Sequence, residues 1–110
     1  RWSRVTPRAL VGERVRDRED AGDAELIVLD RRDRTAAEVT IDTTDRLTVA
    51  DVNPEYDARD DVVDAVYLEE VEATLDGWRS VADLRDAAAF DAITTYAFPA
   101  GRLEKLGGEP

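Results

Sequence analysis

Apolar and polar residues along the first half of the chain predict several short strands. The segment Ala24–Asp30, AELIVLD, contains four consecutive large apolar residues, which indicates a strand inside a sheet. Residues Thr35–Thr43 alternate between apolar and polar side chains, as expected for a strand with one solvated face. The charged run Arg31–Arg34 between them predicts a hairpin loop, and Leu47–Val52 predicts a fourth strand.

The segment Val62–Leu68 has the strongest strand pattern, because it is rich in β-branched residues and leaves little polar face. It predicts a strand buried on both sides, with a turn at Asn53-Pro54 before it and a short helix over Glu69–Leu75 after it. A single helix over Asp61–Leu75 is the alternative. It would align four apolar residues at a spacing of four positions, namely Val63, Tyr67, Val71 and Leu75.

The remaining elements are predicted from helix-end signals and from one more apolar run. Thr6–Gly12 predicts a short helical turn with Gly12 as a left-handed stop. Ser80 and Asp83 have capping-box spacing and predict a helix that ends near Phe90. Ile93–Phe98 predicts a last strand, and residues 101–110 are expected to form a frayed tail.

These elements predict one α+β domain over residues 1–110. We expect an antiparallel sheet of about four to six strands with two or three short helices on one face, because consecutive strands are joined by short loops. The segment Leu10–Val15, followed by a predicted hairpin, resembles the opening of a PRC-barrel domain. It lacks the glycine that such domains carry early in the second strand, and no functional expectation is based on it.

Composition narrows the possible chemistry and environment. The chain has no cysteine and no histidine, which excludes disulfides, thiolate nucleophiles and imidazole ligands. No apolar run approaches 18 residues, so we expect no membrane span, and no motif suggests a cofactor. The net charge is -11 with Lys105 as the sole lysine, which resembles proteins of salt-in haloarchaea and implies a halophilic cytoplasm.

Arginines concentrate at the start of the chain. Residues 1–18 hold six arginines and two acidic residues, although the chain as a whole is strongly acidic. Arg4, Arg8 and Arg14, together with Trp2, are therefore candidates for a surface that contacts nucleic acid, a phosphorylated ligand or an acidic partner. The alternative is that these arginines pair with the protein's own carboxylates.

Two further groups of residues are candidates for binding. Asp57, Asp60 and Asp61 lie in an acidic stretch whose oxygens suit Mg²⁺ or Ca²⁺, although the alternative is a solvated acidic loop. Asn53 and Tyr56, with Trp78 and Tyr96, combine polar and aromatic groups that suit a ligand pocket. The alternative there is a turn and its packing.

No catalytic motif occurs in the sequence, so we do not expect an enzyme. The sequence favours a non-catalytic protein-interaction or regulatory module that binds a protein partner or forms a homodimer. The second interpretation is a nucleic-acid-associated protein that uses the arginine-rich N-terminal segment. The third is a metal-dependent hydrolase that uses the carboxylates between residues 51 and 64.

Overall fold

A mixed α+β architecture is built on a five-stranded antiparallel sheet with strand order β6-β5-β2-β1-β7 and a separate two-stranded sheet, β3-β4. The computed structural model describes residues 10–20, 22, 24–42 and 44–106, with the backbone alone at Asp42. The strands are β1 (Arg14–Asp17), β2 (Leu26–Thr35), β3 (Thr40–Asp42), β4 (Leu47–Thr48), β5 (Asp61–Tyr67), β6 (Tyr96–Pro99) and β7 (Leu103–Lys105). The helices are α1 (Val49–Val52), α2 (Leu68–Thr74) and α3 (Val81–Ala89), and a 3₁₀ turn covers Ala100–Arg102.

The five-stranded sheet is curled, because its two edge strands are consecutive in the chain. β6 and β7 form opposite edges, yet the three-residue turn Ala100–Arg102 joins them. The edges of a flat five-stranded sheet would lie about 19 Å apart. A 3₁₀ turn rises only about 2 Å per residue, so the sheet must bend to bring its edges together.

One core fills the concave face of this sheet and receives side chains from all five strands. Its buried members are Val15, Leu26, Val28, Val63, Ala65, Phe98 and Leu103. Asp17 shares this face with Val15 because the two alternate along β1, and Asp17 is buried as well. A carboxylate therefore lies at the rim of an otherwise apolar core.

The helices pack on the opposite, convex face. Val71 of α2 and Leu84 of α3 contact Ile27, Leu29 and Val66. A smaller cluster under α1 joins four residues, Ala36, Val39, Val49 and Val62. The prediction that the helices lie on one face of an antiparallel sheet is confirmed.

The order of strand and helix after Asp60 follows the first prediction. β5 covers Asp61–Tyr67 and α2 covers Leu68–Thr74, so the single-helix alternative is wrong. Five consecutive residues of β5, from Val62 to Val66, are buried on the two faces of a central strand. β-branched side chains suit this position because their restricted rotamers pack well on a pleated surface.

Local signals also placed α3 and two turns correctly. Ser80 and Asp83 form the predicted capping box at the start of α3, which ends at Ala89. Gly12 has a φ of 90°, as expected for a left-handed position, although residues 6–9 of the predicted helical turn lie outside the described residues. The turn at Asn53-Pro54 is present.

Three strand predictions in the first half of the chain are wrong in their extent. The predicted loop Arg31–Arg34 is part of β2, because β5 pairs along it, with Arg31 opposite Val63. Of the predicted strand Thr35–Thr43, Thr35 is the last residue of β2 and Thr40–Asp42 forms β3, whereas Ala36 and Val39 turn inward onto the α1 cluster. Thr43 lies outside the described residues.

The predicted strand Leu47–Val52 ends at Thr48, where a second capping box begins α1. The Thr48 hydroxyl accepts a hydrogen bond from the Asp51 N–H, and the Asp51 carboxylate accepts one from the Thr48 N–H. This reciprocal pair satisfies two N–H groups and favours a helix over an extended chain.

Two predictions near the C-terminus are also corrected. The strand predicted over Ile93–Phe98 is β6, which begins at Tyr96 and includes Pro99, while Ile93 packs in the convex-face core. The expectation of a frayed tail is wrong for Leu103–Lys105, which pairs with β1, and residues 107–110 lie outside the described residues. The longest helix of the described residues, α3, has nine residues, so none of the described helices could span a bilayer.

Candidate functional site

A groove of about 580 Å³ runs along β6, the strand at one edge of the curled sheet. All of β6 except Pro99 contributes to it. Residues of β3 and the end of α1 line it as well. The lining residues are Asp17, Arg32, Thr40, Ile41, Val52, Asn53, Asp64, Tyr67, Thr95, Tyr96, Ala97, Phe98 and Arg102.

Three large apolar side chains are exposed in this groove. Ile41 is 46% exposed, Val52 is 45% exposed and Tyr96 is 43% exposed. Tyr96 contacts Tyr67 edge to face, with ring centroids 5.4 Å apart and an interplanar angle of 75°. This contact holds the ring of Tyr96 at the groove surface and leaves much of that ring open to solvent.

The pairing of β6 with β5 determines which of its backbone groups face outward. Pro99 lies opposite Val62 and has no N–H, so this pair belongs to the non-hydrogen-bonded set of the ladder. The alternation then makes Phe98 and Val63 a hydrogen-bonded pair and directs the N–H and C=O of Ala97 away from β5. Ala97 therefore presents one donor and one acceptor at an edge that no other strand of the described residues covers.

Arg102 closes one end of the groove and joins three distant segments. Its Nε and one terminal nitrogen donate to the two oxygens of Asp17 at 2.7 and 2.8 Å, and its other terminal nitrogen donates to Asn53 Oδ1 at 2.7 Å. The guanidinium also lies 5.3 Å from the centroid of the Phe98 ring. The hydrogen bond to Asp17 raises the pKa of Arg102, so its charge is fixed.

The ionisation of Asp17 follows from the same contacts. Burial raises the pKa of this carboxyl group, but the hydrogen bonds from Arg102 and from the Glu19 N–H outweigh burial. The net result is a pKa below its usual range, so the carboxylate stays charged at neutral pH. Asp17 is thus an anchor for the guanidinium rather than a proton donor or acceptor.

Asn53 and Tyr56 lie near Arg102, shortly after the end of α1, which forms one wall of the groove (the α1 wall). The amide nitrogen of Asn53 donates to the Val49 carbonyl at 2.8 Å, while its oxygen accepts from Arg102. Burial, and then a hydrogen bond with Glu19, raise the pKa of the Tyr56 hydroxyl. Both residues were predicted from sequence as binding candidates, and the structure places both near Arg102, where Asn53 links the end of α1 to the guanidinium.

A second ion pair lies farther along the groove. Arg32 donates to both oxygens of Asp64, at 2.8 and 3.1 Å, and the Asp64 side chain is 11% exposed. Arg32 lies where β2 leaves its regular register with β5, between Arg31 and Thr35. Such irregularities redirect side chains, which accounts for an arginine folding back over its own sheet.

The remaining predicted carboxylates point to different partners. Asp60 accepts the Gly101 N–H at 3.0 Å, and a Cβ at Gly101 would lie only 2.8 Å from that oxygen. Asp57 accepts the Arg59 N–H, and Asp61 pairs with Arg31 at 3.1 Å. Within the described part of the chain, no cluster of three or more acidic residues forms a metal site.

The arginine-rich N-terminal segment lies largely outside the described residues, which begin at Leu10 and so exclude Trp2, Arg4 and Arg8. Arg14 lies 3.4 Å from Glu25, and Arg16 lies 3.3 Å from Glu104. These exposed pairs agree with the alternative interpretation, in which the arginines contact the protein's own carboxylates.

Sequence reasoning missed four residues that shape the groove, namely Asp17, Ile41, Val52 and Arg102. A signal existed for Asp17, because it follows Val15 at the two-residue spacing of a strand face. Arg102 has no comparable signal, since its role depends on partners 49 and 85 positions away. Comparison of the chain with protein-family models, curated proteins and solved structures finds no match.

Proposed function

We propose that this protein is a non-catalytic interaction module that binds another protein in the groove along β6. One observation carries the proposal. Three of the large apolar side chains that remain exposed, Ile41, Val52 and Tyr96, gather on one groove beside the edge strand of the sheet. Exposed apolar residues grouped beside a free strand edge are typical of a peptide or protein contact.

The charges in the groove support the same use. Its two aspartates and two arginines form internal bidentate pairs, so the lining has no net charge in a chain of net charge -11. A partner can cover this surface without burying an unpaired charge. The same pairing disfavours acid–base catalysis by Asp17 and Asp64, because each carboxylate is held by an arginine.

The proposed setting is the cytoplasm of a cell with high internal salt. An excess of acidic residues and a single lysine support it, because concentrated salt screens repulsion among like charges on a surface. An interaction that relies on apolar contacts and backbone hydrogen bonds suits such conditions. Contacts with phosphates weaken steeply with salt, which makes nucleic acid the less favoured partner.

Matched double variants test the proposed function. Ile41→Gln with Val52→Gln removes two exposed apolar groups from the groove. Leu10→Gln with Phe90→Gln removes two that lie outside the groove lining, at 58% and 85% exposure. Each protein is immobilised and exposed to a salt-in archaeal lysate, and retained proteins are identified by mass spectrometry.

We expect wild type and the Leu10/Phe90 variant to retain the same proteins and the Ile41/Val52 variant to lose them. Thermal melting followed by circular dichroism checks that all three proteins are folded. Retention of the same set by all three would show that the groove is not the binding surface.

A further inference from the structure

The shape and charge of the groove also indicate what occupies it, provided that the proposed function holds. We infer that the occupant is an extended peptide segment of another protein, with basic residues flanking a short β-branched stretch. The segment adds a strand to the edge of the sheet and pairs with β6 at Ala97.

Backbone geometry at β6 requires an extended occupant. Ala97 directs its N–H and C=O away from β5, and an added strand would use both in one reciprocal pair of hydrogen bonds. Pro99 has no N–H to offer, and the 3₁₀ turn begins directly after it. The ladder is therefore short and centred on Ala97, which fixes the register of the incoming strand.

The walls of the groove favour a single peptide strand over a second folded copy. Thr40, Ile41, Val52 and Asn53 line the groove together with the strand edge. An occupant that pairs with Ala97 would lie between these side chains and the strand edge, which suits one extended chain. Side chains that alternate along the peptide would contact Ile41 and Val52 on one side and Tyr96 on the other, which suits valine, isoleucine and threonine.

Acidic residues near the groove are the reason for expecting basic residues at both ends of the bound peptide. Glu19 lies 3.7 Å from Arg102 at one end, and Asp51 directly precedes Val52 at the α1 wall. The pKa of Tyr67 is raised by burial first, then by the charge of Asp17 and then by that of Asp20, so Asp20 lies near this groove residue as well. A positively charged segment is attracted to this rim, whereas a second copy with net charge -11 is repelled.

Synthetic peptides test the inference directly. The probe is a capped eight-residue peptide with alternating valine and threonine in the middle and two arginines at each end. A matched control replaces the arginines with glutamates. Two further peptides are N-methylated at adjacent central residues, because neighbouring N–H groups of a strand point to opposite edges. Affinities are measured by isothermal titration calorimetry for wild type and for both double glutamine variants.

We expect the arginine peptide to bind wild type and the Leu10/Phe90 variant equally and the Ile41/Val52 variant at least about tenfold more weakly. One N-methylated peptide should lose about tenfold in affinity and the other should keep it, since only one methyl group blocks pairing with Ala97. In about 0.1 M salt, the glutamate peptide should bind at least about tenfold more weakly than the arginine peptide, and the difference should shrink as salt is added.

Other results would overturn the inference. Equal affinity of the arginine and glutamate peptides would contradict the inference that the partner is basic. Equal affinity of both methylated peptides would contradict the inference that it adds a strand to the sheet. Absence of binding by every peptide, or a dimer that the Ile41/Val52 variant breaks, would exclude a peptide occupant. Retention of lysate proteins through the groove would still support the proposed function in those cases.

Discussion

At the scale of single residues, Arg102 organises one end of the groove. Its planar guanidinium bonds both oxygens of Asp17 on β1, reaches Asn53 after α1 and lies over Phe98 of β6. Lysine has no equivalent fork of donors and would reach fewer of these partners. Together with the packing of Val49 under α1, this side chain therefore helps to position the end of α1 beside the strand edge.

Replacement of Arg102 by methionine should destabilise the fold. It leaves the buried Asp17 carboxylate without its cation, which we expect to cost about 3 kcal/mol in the free energy of unfolding. The matched control is Arg16→Met, which breaks an exposed pair with Glu104 and should cost less than about 1 kcal/mol. Urea unfolding of both variants measures the difference. Equal losses would show that Arg102 is no more important than a surface arginine.

Asp17 should also make the fold sensitive to acid. Its pKa in the folded protein is lowered, so its contribution to stability is complete above the unfolded value of about 3.9. That contribution disappears as the pH falls through the lower folded value. An Asp17→Asn variant should therefore be less stable than wild type at neutral pH, and the two stabilities should converge as the pH falls below the unfolded value and through the lowered folded pKa. Chemical unfolding across this range measures both curves, and a constant difference between them would contradict the role given to this carboxylate.

At the scale of elements, the sequence predicted best where a segment carries its own signal. The β-branched run of β5 and the Ser80–Asp83 capping box are local, and both elements form close to where they were expected. β7 has no local pattern and exists because Leu103–Lys105 pairs with Arg14–Asp17 at the start of the sheet. The charged end of β2 is likewise a strand only because β5 pairs with it.

In the candidate site, too, residues with a local sequence signal were predicted, whereas one that depends on distant contacts was not. Asn53 and Tyr56 were predicted as binding candidates in a turn, with the distant aromatics Trp78 and Tyr96 as possible neighbours, and of these Asn53 and Tyr96 line the groove. Arg102 could not be assigned, because its three contacts come from segments far apart in the chain. The groove exists only because the curled sheet brings those segments together.

The central position of β5 leads to a prediction at Val66, which is fully buried against α2 and α3. Val66→Asp would place an unpaired carboxylate in the convex-face core and should lower the free energy of unfolding by about 4 kcal/mol or more. The control Val52→Asp alters a side chain that is 45% exposed and should cost about 1 kcal/mol at most. Thermal melting of both variants distinguishes them, and a Val66 variant that melts with wild type would rule out the assigned core.

At the scale of the whole molecule, charge is distributed unevenly. Residues 35–110 contain eighteen acidic and six basic residues, whereas the groove lining pairs each of its aspartates with an arginine. The acidic exterior should keep copies of the chain apart, and the neutral, partly apolar groove is where close contact costs least. Under the proposed function, the acidic exterior and the binding surface are therefore different parts of the molecule.

The same excess of charge predicts that folding depends on salt. The screening length falls from about 10 Å in 0.1 M salt to about 3 Å in 1 M salt, so repulsion among the carboxylates weakens as salt is added. The urea midpoint should be clearly higher in about 2 M KCl than in about 0.1 M KCl, because screening favours the compact state. Equal midpoints would contradict the proposed high-salt setting.

The central claim is that a partner binds along the free edge of β6, and amide hydrogen exchange at Ala97 tests it most directly. Exchange is followed by NMR in the free protein and in its complex with a retained partner. The Ala97 amide should exchange at least about tenfold more slowly in the complex, because it gains a hydrogen bond, while the Phe98 amide, already bonded to β5, changes little. A complex that forms without slowing exchange at Ala97 would contradict the account.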